Sequence, residues 1–157
     1  MRALPLVLAF ASLTLIAGCG NKGGEVSEGL PPVATPQEAL AQLPEKYRTA
    51  DLENGKAKFA FCRSCHTATE GGPNGVGPNL WRVFGRKAGT AADFKYSDAV
   101  KNAGFTWDAD HLDQWLTKPK DYLPGTKMTF VGLPDEKDRT DLIAYLKIET
   151  SVKKPAQ

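Results

Sequence analysis

The stretch FCRSCHT, residues 61–67, brings two of the chain's three cysteines and one of its two histidines within five positions, as Cys62, Cys65 and His66. Chance would produce Cys-x-x-Cys-His on the order of once in a thousand chains of this composition, so the motif has a function. Three chemistries use thiols at this spacing: a redox-active dithiol, half of a zinc site, and a covalent attachment point for haem. The rest of the chain must separate them.

The composition is that of one globular domain with appendages: 157 residues, 41% of them hydrophobic and 24% charged. Arg2 is followed by an apolar run to Ala17, the pattern of a secretion signal. Leu15–Cys19 resembles a bacterial lipobox, which implies that Cys19 is lipidated and becomes the first residue of the mature protein. The alternative is an uncleaved anchor helix, although the run is shorter than the roughly 20 residues that a bilayer needs. In both cases we expect the domain to be anchored at the periplasmic face of a bacterial membrane.

We divide the chain into a signal peptide over residues 1–18, a flexible tether over 19–50, a domain over 51–150 and a polar tail over 151–157. The tether is rich in Gly, Pro, Glu, Ala and Gln, and a flexible segment of this length would span about 30 Å root-mean-square. One short helix is predicted within it, because Thr35–Glu38 has a capping-box pattern and Pro44 ends the run.

The domain has the pattern of three or four short helices and a long loop region. The first helix begins after Asp51 and ends near Cys62, the second follows Trp107 and stops before Pro119, and the last begins around Pro134. The region between the first two is rich in glycine, and no strand pattern occurs. We therefore predict an all-α domain with too little regular structure to fill its own core, which indicates that something other than side chains fills it.

The surroundings of the motif favour haem over the other two chemistries. A thioredoxin-like dithiol needs a βαβ setting, which the domain lacks, and a structural zinc site needs four ligands. The other histidine, His111, lies on an amphipathic segment, where we expect a solvated surface role. Two thiols three residues apart can add to the two vinyl groups on one edge of a porphyrin, and the next imidazole then lies under the iron. Cys62 and Cys65 are the predicted attachment points, and His66 is the predicted axial ligand.

Met128 is the predicted second axial ligand. It is the only methionine left once Met1 leaves with the signal peptide, and it follows Pro124–Lys127, a turn-forming stretch. Such a turn can bring the thioether over the far face of the ring. The alternative is a methionine that fills a gap in the core, and the loop position after Pro-Gly favours the ligand.

Residue types and spacings over nearly the whole domain match one family. They occur at Gly55, Phe59, the attachment motif, Gly77–Leu80, Phe84–Lys87, Tyr96, Ser97, Gly104, Thr106, Trp107, Pro119, Lys120, Tyr122–Met128 and Asp141–Lys147. On these residues the chain resembles class I, mitochondrial-type cytochrome c. The resemblance implies an all-α fold wrapped around one haem c, held covalently through Cys62 and Cys65, with the first and last helices crossing at Gly55.

The resemblance also assigns roles around the cofactor. The Pro78 carbonyl would accept a hydrogen bond from the ring of His66 and fix its tautomer. A group of side chains would bind or approach the haem propionates, whose charge could not be buried unpaired: Arg86, Tyr96, Trp107 and Thr126.

Further positions implied by the resemblance lie near the methionine and in the interior. Asn79 would steady the loop that carries Met128, and Phe130 would close the exposed edge of the haem. Two positions depart from the family pattern: Trp115 replaces an aromatic hydroxyl near the methionine, and Val100 replaces an interior asparagine. Both should change the surroundings of the iron.

The expected function is one-electron transfer and not catalysis, because two filled axial positions keep substrates from the iron. The protein would shuttle electrons in a respiratory or photosynthetic chain, from a quinol-oxidising cytochrome bc complex to a terminal oxidase. These membrane complexes are the expected partners, with no nucleic acid and no small-molecule substrate, and the expected state is a monomer. The alternatives are an electron-entry module of a larger membrane complex and a haem peroxidase or gas sensor with a displaceable Met128.

The charge of the domain bears on how it meets these partners. Residues 51–150 contain equal numbers of basic and acidic residues, so long-range steering should be weak. The resemblance implies a ring of lysines round the haem edge, of which this chain retains Lys120 and Lys127. Other ring positions hold uncharged or acidic residues: Phe61, Gly75, Pro134 and Asp135. A membrane tether would compensate by raising the local concentration.

Overall fold

The structure, a computed structural model, describes residue 33 and residues 35–153. The predicted signal peptide, the lipidation of Cys19, the first part of the tether and the end of the tail lie outside the described residues. The described part folds into helices α1 Pro36–Ala41, α2 Glu45–Arg48, α3 Leu52–Phe59, α4 Asp98–Lys101, α5 Ala109–Thr117, α6 Pro119–Tyr122 and α7 Glu136–Ser151. Extended pairing there is limited to two isolated bridges, Val33 with Val152 and Lys87 with Thr106, and the all-α prediction is confirmed. None of these helices has the length and apolar character needed to cross a bilayer.

Side-chain caps explain where the longer helices begin. Thr35 and Glu38 form the predicted capping box of α1, and the Asp51 carboxylate accepts from two backbone N–H groups at the start of α3, as predicted. Asp108 and Asp135 cap α5 and α7, accepting backbone hydrogen bonds of 2.7 and 2.8 Å. Helices α2, α4 and α6 are single turns, too short to show a helical period in the sequence.

Helices α3 and α7 cross at Gly55, where the backbones are in contact. A Cβ at Gly55 would overlap the backbone carbonyl of Asp141. The buried Asp141 carboxylate fastens the crossing by accepting from the Asp51 N–H at 2.9 Å and from Asn54 Nδ2 at 2.8 Å. Burial alone would raise the pKa of Asp141, but hydrogen bonds from Asn54, Lys137 and the Asp51 N–H outweigh it and hold the pKa below its usual range.

Residues 35–50, which we assigned to the flexible tether, are packed on the domain. Ala39, Leu43 and Tyr47 lie four residues apart and are buried, and helices α1 and α2 both contact α7. The generally polar composition of the segment hid this apolar stripe. At the other end α7 continues through Ser151, one residue past the predicted limit of the domain.

Candidate functional site

A cavity of about 390 Å³ lies at the centre of the domain, within the size range of cofactor sites. All nine residues predicted to hold the cofactor line it: Cys62, Cys65, His66, Pro78, Arg86, Tyr96, Trp107, Thr126 and Met128. Segments separated by more than sixty residues therefore meet in one space. The sequence predicted a core that side chains alone would not fill, and this cavity agrees with that prediction.

The attachment motif leaves α3 as a tight turn that points both thiols toward the cavity. The backbone N–H groups of Cys65 and His66 both donate to the Cys62 carbonyl, at 3.1 and 2.9 Å. Both cysteines are free and partly buried. Burial raises the pKa of the Cys62 thiol to about 11, with the neighbouring Cys65 adding to the shift. The pair is thus available as two thiols, the form that adds to vinyl groups.

The ring of His66 is held in one orientation by a short loop. Its Nδ1 lies 2.7 Å from the Pro78 carbonyl oxygen, and because a carbonyl can only accept, Nδ1 carries the proton. Gly77 lies flat against the ring, where any Cβ would overlap it. Burial lowers the pKa of His66, against the raising effect of the Pro78 hydrogen bond, and repulsion from Arg86 lowers it further. At neutral pH the imidazole is therefore neutral, with its Nε2 lone pair free for a metal.

Met128 reaches the same cavity on a loop fastened at both ends. The Met128 N–H donates to Thr126 Oγ1 at 3.2 Å, and the Thr126 N–H donates to the Leu123 carbonyl at 3.1 Å. At the far end the Leu133 N–H donates to the Leu116 carbonyl of α5 at 2.8 Å. The loop thus holds a thioether in a cavity that also receives a neutral imidazole.

One end of the cavity carries an uncompensated positive charge. Arg86 is only 4% exposed, and its guanidinium donates to the carbonyls of Asn79 and Trp81 at 3.0 and 3.2 Å. Within the described part of the chain it makes no ion pair with a carboxylate. Burial accordingly lowers the pKa of Arg86. A buried guanidinium facing a cavity fits a ligand that brings its own anionic group, as the propionates of haem do.

Trp107 and Tyr96 lie at the same end of the cavity. The Trp107 N–H donates to the Arg86 carbonyl at 2.9 Å, which joins the two segments that carry these side chains. The indole of Trp107 packs edge-on against Trp115, with ring centroids 5.4 Å apart. Burial raises the pKa of Tyr96, so its hydroxyl keeps its proton and can donate.

Asn79 does not have the role that the resemblance implied. Its side chain donates to Thr67 Oγ1 at 2.6 Å and to the Thr69 carbonyl at 3.0 Å, and it accepts from the Trp81 N–H at 2.7 Å. These bonds steady residues 67–81 on the histidine side, and none of them reaches the Met128 loop. The two sides of the cavity are held by separate networks.

The structure also places the remaining residues discussed from the sequence, three of them in the cavity wall and one outside it. Trp115 and Val100 are buried and line the cavity, and Phe130 lines it from the Met128 loop. His111 is less solvated than expected, since its ring stacks on Phe105 with centroids 4.5 Å apart and its Nδ1 lies 2.7 Å from Asp108.

The sequence identified the leucines of the second and last helices as apolar helix faces but did not assign them to the wall of a cofactor cavity. Leu112 and Leu116 of α5 and Leu142 and Leu146 of α7 all line it. Their spacing of four residues was visible, but this pattern indicates only a buried helix face and does not distinguish a wall of side chains from a wall facing a cofactor.

Comparisons with known proteins agree with this geometry. Residues 52–148 match the family model described as Cytochrome c. A cytochrome c of Theileria parva is 54% identical over 102 residues, which cover 64% of this chain and 88% of that protein. A cytochrome c homolog of Bradyrhizobium diazoefficiens is 40% identical over 140 residues, covering 88% of this chain and 71% of that protein. The solved structure of cytochrome cH from Methylobacterium extorquens is 48% identical and superposes with a TM-score of 0.58, covering 62% of this chain and 98% of that one.

The matched range contains the cysteine pair, the neutral imidazole, the loop methionine and the buried guanidinium. Each of these groups has the chemistry that an iron porphyrin with anionic propionates requires. The chain belongs to the cytochrome c family, whose members carry one covalently attached haem c, here bound through Cys62 and Cys65.

Proposed function

We propose that this protein is a one-electron carrier at the periplasmic face of a bacterial membrane, between a quinol-oxidising cytochrome bc complex and a terminal oxidase. The observation that carries the proposal is that His66 and Met128, from opposite parts of the chain, line the same cavity as the cysteine pair. The bound haem supplies reversible one-electron chemistry at its iron. A soft thioether as one axial ligand raises the reduction potential relative to two nitrogen ligands.

The protein's own contribution is to hold the ligands and to keep water and substrates out. The Pro78 carbonyl, 2.7 Å from Nδ1, orients the imidazole and makes its Nε2 a better donor. Met128 would hold the iron together with His66, and no coordination position would then be open to a substrate. Buried leucines from α5 and α7 exclude water from the cavity. The surroundings of the iron would therefore rearrange little when its oxidation state changes.

The end of the cavity at Arg86 would compensate the charge of the propionates. The guanidinium has no carboxylate partner among the described residues, and Trp107 and Tyr96 supply hydrogen-bond donors beside it. This arrangement would allow the anionic end of the cofactor to be buried without a large penalty.

Partner docking would rely on apolar contact more than on charge. Three large hydrophobic side chains are strongly exposed in the described residues: Phe61 at 63%, Val76 at 80% and Val131 at 84%. Phe61 and Val76 line the mouth of the cavity, and Val131 directly follows Phe130, which also lines it. A neutral domain with an apolar rim would bind a partner with a complementary apolar rim, with weak salt dependence.

The anchor is proposed to be a lipid on Cys19, with an uncleaved N-terminal helix as the alternative. The test is detergent phase partitioning of the full-length protein expressed in a bacterium, with Cys19→Ala as the control. We expect the wild type in the detergent phase and the variant in the aqueous phase. Partitioning of the variant with detergent would favour the uncleaved helix.

One optical comparison tests the ligand set. The oxidised holoprotein should show the weak sulfur-to-iron charge-transfer band, and Met128→Ala should abolish it and open the iron to carbon monoxide in the reduced form. Ready binding of carbon monoxide by the wild type at neutral pH would instead favour a gas sensor or peroxidase. Retention of the wild type in one large complex after detergent extraction would favour an electron-entry module.

A further inference from the structure

We propose that Val33 and residues 35–50 form a strap fixed along α7, so that the domain is held at Val33 and the length of chain between Cys19 and Val33 limits its distance from the membrane. The anchor itself rests on the proposed function, whereas the docking of the strap rests on contacts within the described residues. The strap therefore converts a long tether into a short one.

The strap presents a continuous apolar stripe to the domain. Ala39 of α1 and Tyr47 of α2 are 0% exposed, and Leu43 between the two helices is 4% exposed. The Tyr47 hydroxyl donates to the Ala109 carbonyl at the start of α5, at 3.4 Å. A fully buried tyrosine and a buried leucine make this an integral part of the core.

Local hydrogen bonds give the strap a defined shape. Arg48 Nε donates to the Leu43 carbonyl at 2.9 Å and its Nη2 donates to the Ala41 carbonyl at 3.3 Å, which closes the turn between α1 and α2. The capping box of Thr35 and Glu38 fixes the beginning of α1. The segment is therefore preorganised and loses less entropy when it docks.

Helix α7 has buried polar residues on the side that faces the strap. Lys147 and Thr150 are 0% exposed and Ser151 is 2% exposed, although all three are polar. Gln42, Leu43 and Pro44 line a small cavity together with Lys147. At the N-terminal end of the strap, the Val33 N–H donates to the Ser151 carbonyl at 3.0 Å. The strap thus meets α7 at Ser151 and again beside Lys147, and the haem-cavity residues Leu142 and Leu146 lie on the same helix.

The strap precedes the part of the chain that the family model matches, which begins at residue 52. Its contacts extend to Ala109, two residues from Trp107, and the cavity beside Lys147 is lined by both the strap and Trp107. The membrane-proximal chain is thus packed against the segment that carries a propionate-binding side chain.

Docking sets a strict limit on reach. A chain spans at most about 3.3–3.6 Å per residue. The fourteen residue steps from Cys19 to Val33 therefore cover at most about 50 Å, whereas the thirty-two steps from Cys19 to Asp51 would cover about 115 Å. A strapped domain can exchange electrons only with partners whose docking site lies within this shorter reach of the bilayer surface. The partner class is thus membrane-embedded redox complexes whose docking site lies within that reach.

Limited proteolysis of the full-length holoprotein tests the docking directly. Trypsin can cleave after Lys46 and Arg48, both of which are exposed side chains inside the strap. Ala39→Asp places an unpartnered carboxylate in a fully buried position and leaves both cleavage sites unchanged, while Gln37→Asp makes the same charge change at an exposed position of α1. Fragments that begin at Tyr47 or Thr49 are counted by mass spectrometry, and the haem spectrum reports that the domain remains folded.

We expect the wild type and Gln37→Asp to resist cleavage at these two sites, and Ala39→Asp to be cut at least about tenfold faster, since cleavage follows the population of the open form. If Ala39→Asp loses its haem spectrum, Leu43→Ala serves as the milder variant with the same expectation. Equal cleavage of all variants, or rapid cleavage of the wild type, would overturn the proposal. Failure of the lipid anchor would appear only in the detergent partitioning and would leave the protease result unchanged.

Discussion

Replacing Lys147 by methionine should stabilise the protein near neutral pH. Lys147 is completely buried on α7, and its Nζ is the one buried side-chain nitrogen or oxygen in residues 35–153 that has no hydrogen-bond partner. The ammonium lies 5.0 Å from the centroid of the Phe84 ring, a cation–π contact that offsets part of the cost of burial. Burial lowers the pKa of Lys147 from 10.5 to about 8.

The lowered pKa of Lys147 determines how much stability Lys147→Met gains and over which pH range. At about 1.4 kcal/mol per pKa unit the full shift corresponds to about 3 kcal/mol. A cavity of about 270 Å³ beside the side chain leaves room for water, which reduces the expected gain to about 1–2 kcal/mol. Below pH 8 the lysine is charged in both the folded and unfolded states, so the cost is fully present. As the pH rises to 10.5 the folded state has lost the proton and the unfolded state still holds it, so the native lysine protein regains stability and the advantage of methionine disappears.

The assay is chemical denaturation of wild type, Lys147→Met and the exposed-lysine control Lys56→Met at pH 6.5, 8.5 and 10.5. We expect the unfolding free energy of Lys147→Met to exceed that of the wild type at pH 6.5 and to converge with it at pH 10.5, while Lys56→Met shows no such pH dependence. Destabilisation at pH 6.5, or a difference independent of pH, would refute the reasoning by showing that the ammonium is well solvated or paired.

Three further outcomes are expected. Gly55→Ala should destabilise the domain by about 1–3 kcal/mol in denaturant titration, because the added Cβ overlaps the Asp141 carbonyl; unchanged stability would mean that α3 and α7 can separate at no cost. Asp141→Asn should cost about 1–3 kcal/mol at pH 7 through weakened hydrogen bonds, and because the pKa of Asp141 is depressed the difference should shrink as acid protonates the wild-type carboxylate; a difference that persists at pH 2 contradicts this. Phe61→Ser should slow electron exchange with the proposed oxidase partner severalfold at all salt concentrations, whereas Lys127→Gln should act chiefly at low salt; a steep salt dependence of the wild type between about 10 and 200 mM would refute apolar docking.

Much of the cofactor chemistry could be read from short-range patterns. Cys62, Cys65 and His66 are adjacent in the chain, so their spacing alone defines what they can hold. The caps at Thr35 and Asp51 are equally local, because an N-cap interacts with residues two or three positions ahead. Met128 could be proposed by counting, since little else in the chain offers a soft ligand.

Two of the misjudged features depend on which segments of the chain meet in the folded protein. Asn79 was predicted to steady the Met128 loop, because the residues around it in the sequence do not indicate that its side-chain amide binds Thr67 instead. Residues 35–50 were assigned to a tether because the segment is mostly polar. The three residues that it buries, Ala39, Leu43 and Tyr47, pack on the domain, and the segment's partners on α5 and α7 lie as far as about a hundred residues away.

By itself the sequence determined the covalent attachment of haem, the starts of the longer helices and the all-α class, because these follow from contacts within a few residues. Only the tertiary structure decided which face of α7 would be covered, that Lys147 would be buried without a partner, and that Arg86 would face the cavity without a carboxylate. The physical reason is that burial and the pairing of charges are properties of the packed chain, and no local pattern records which distant segment supplies the cover.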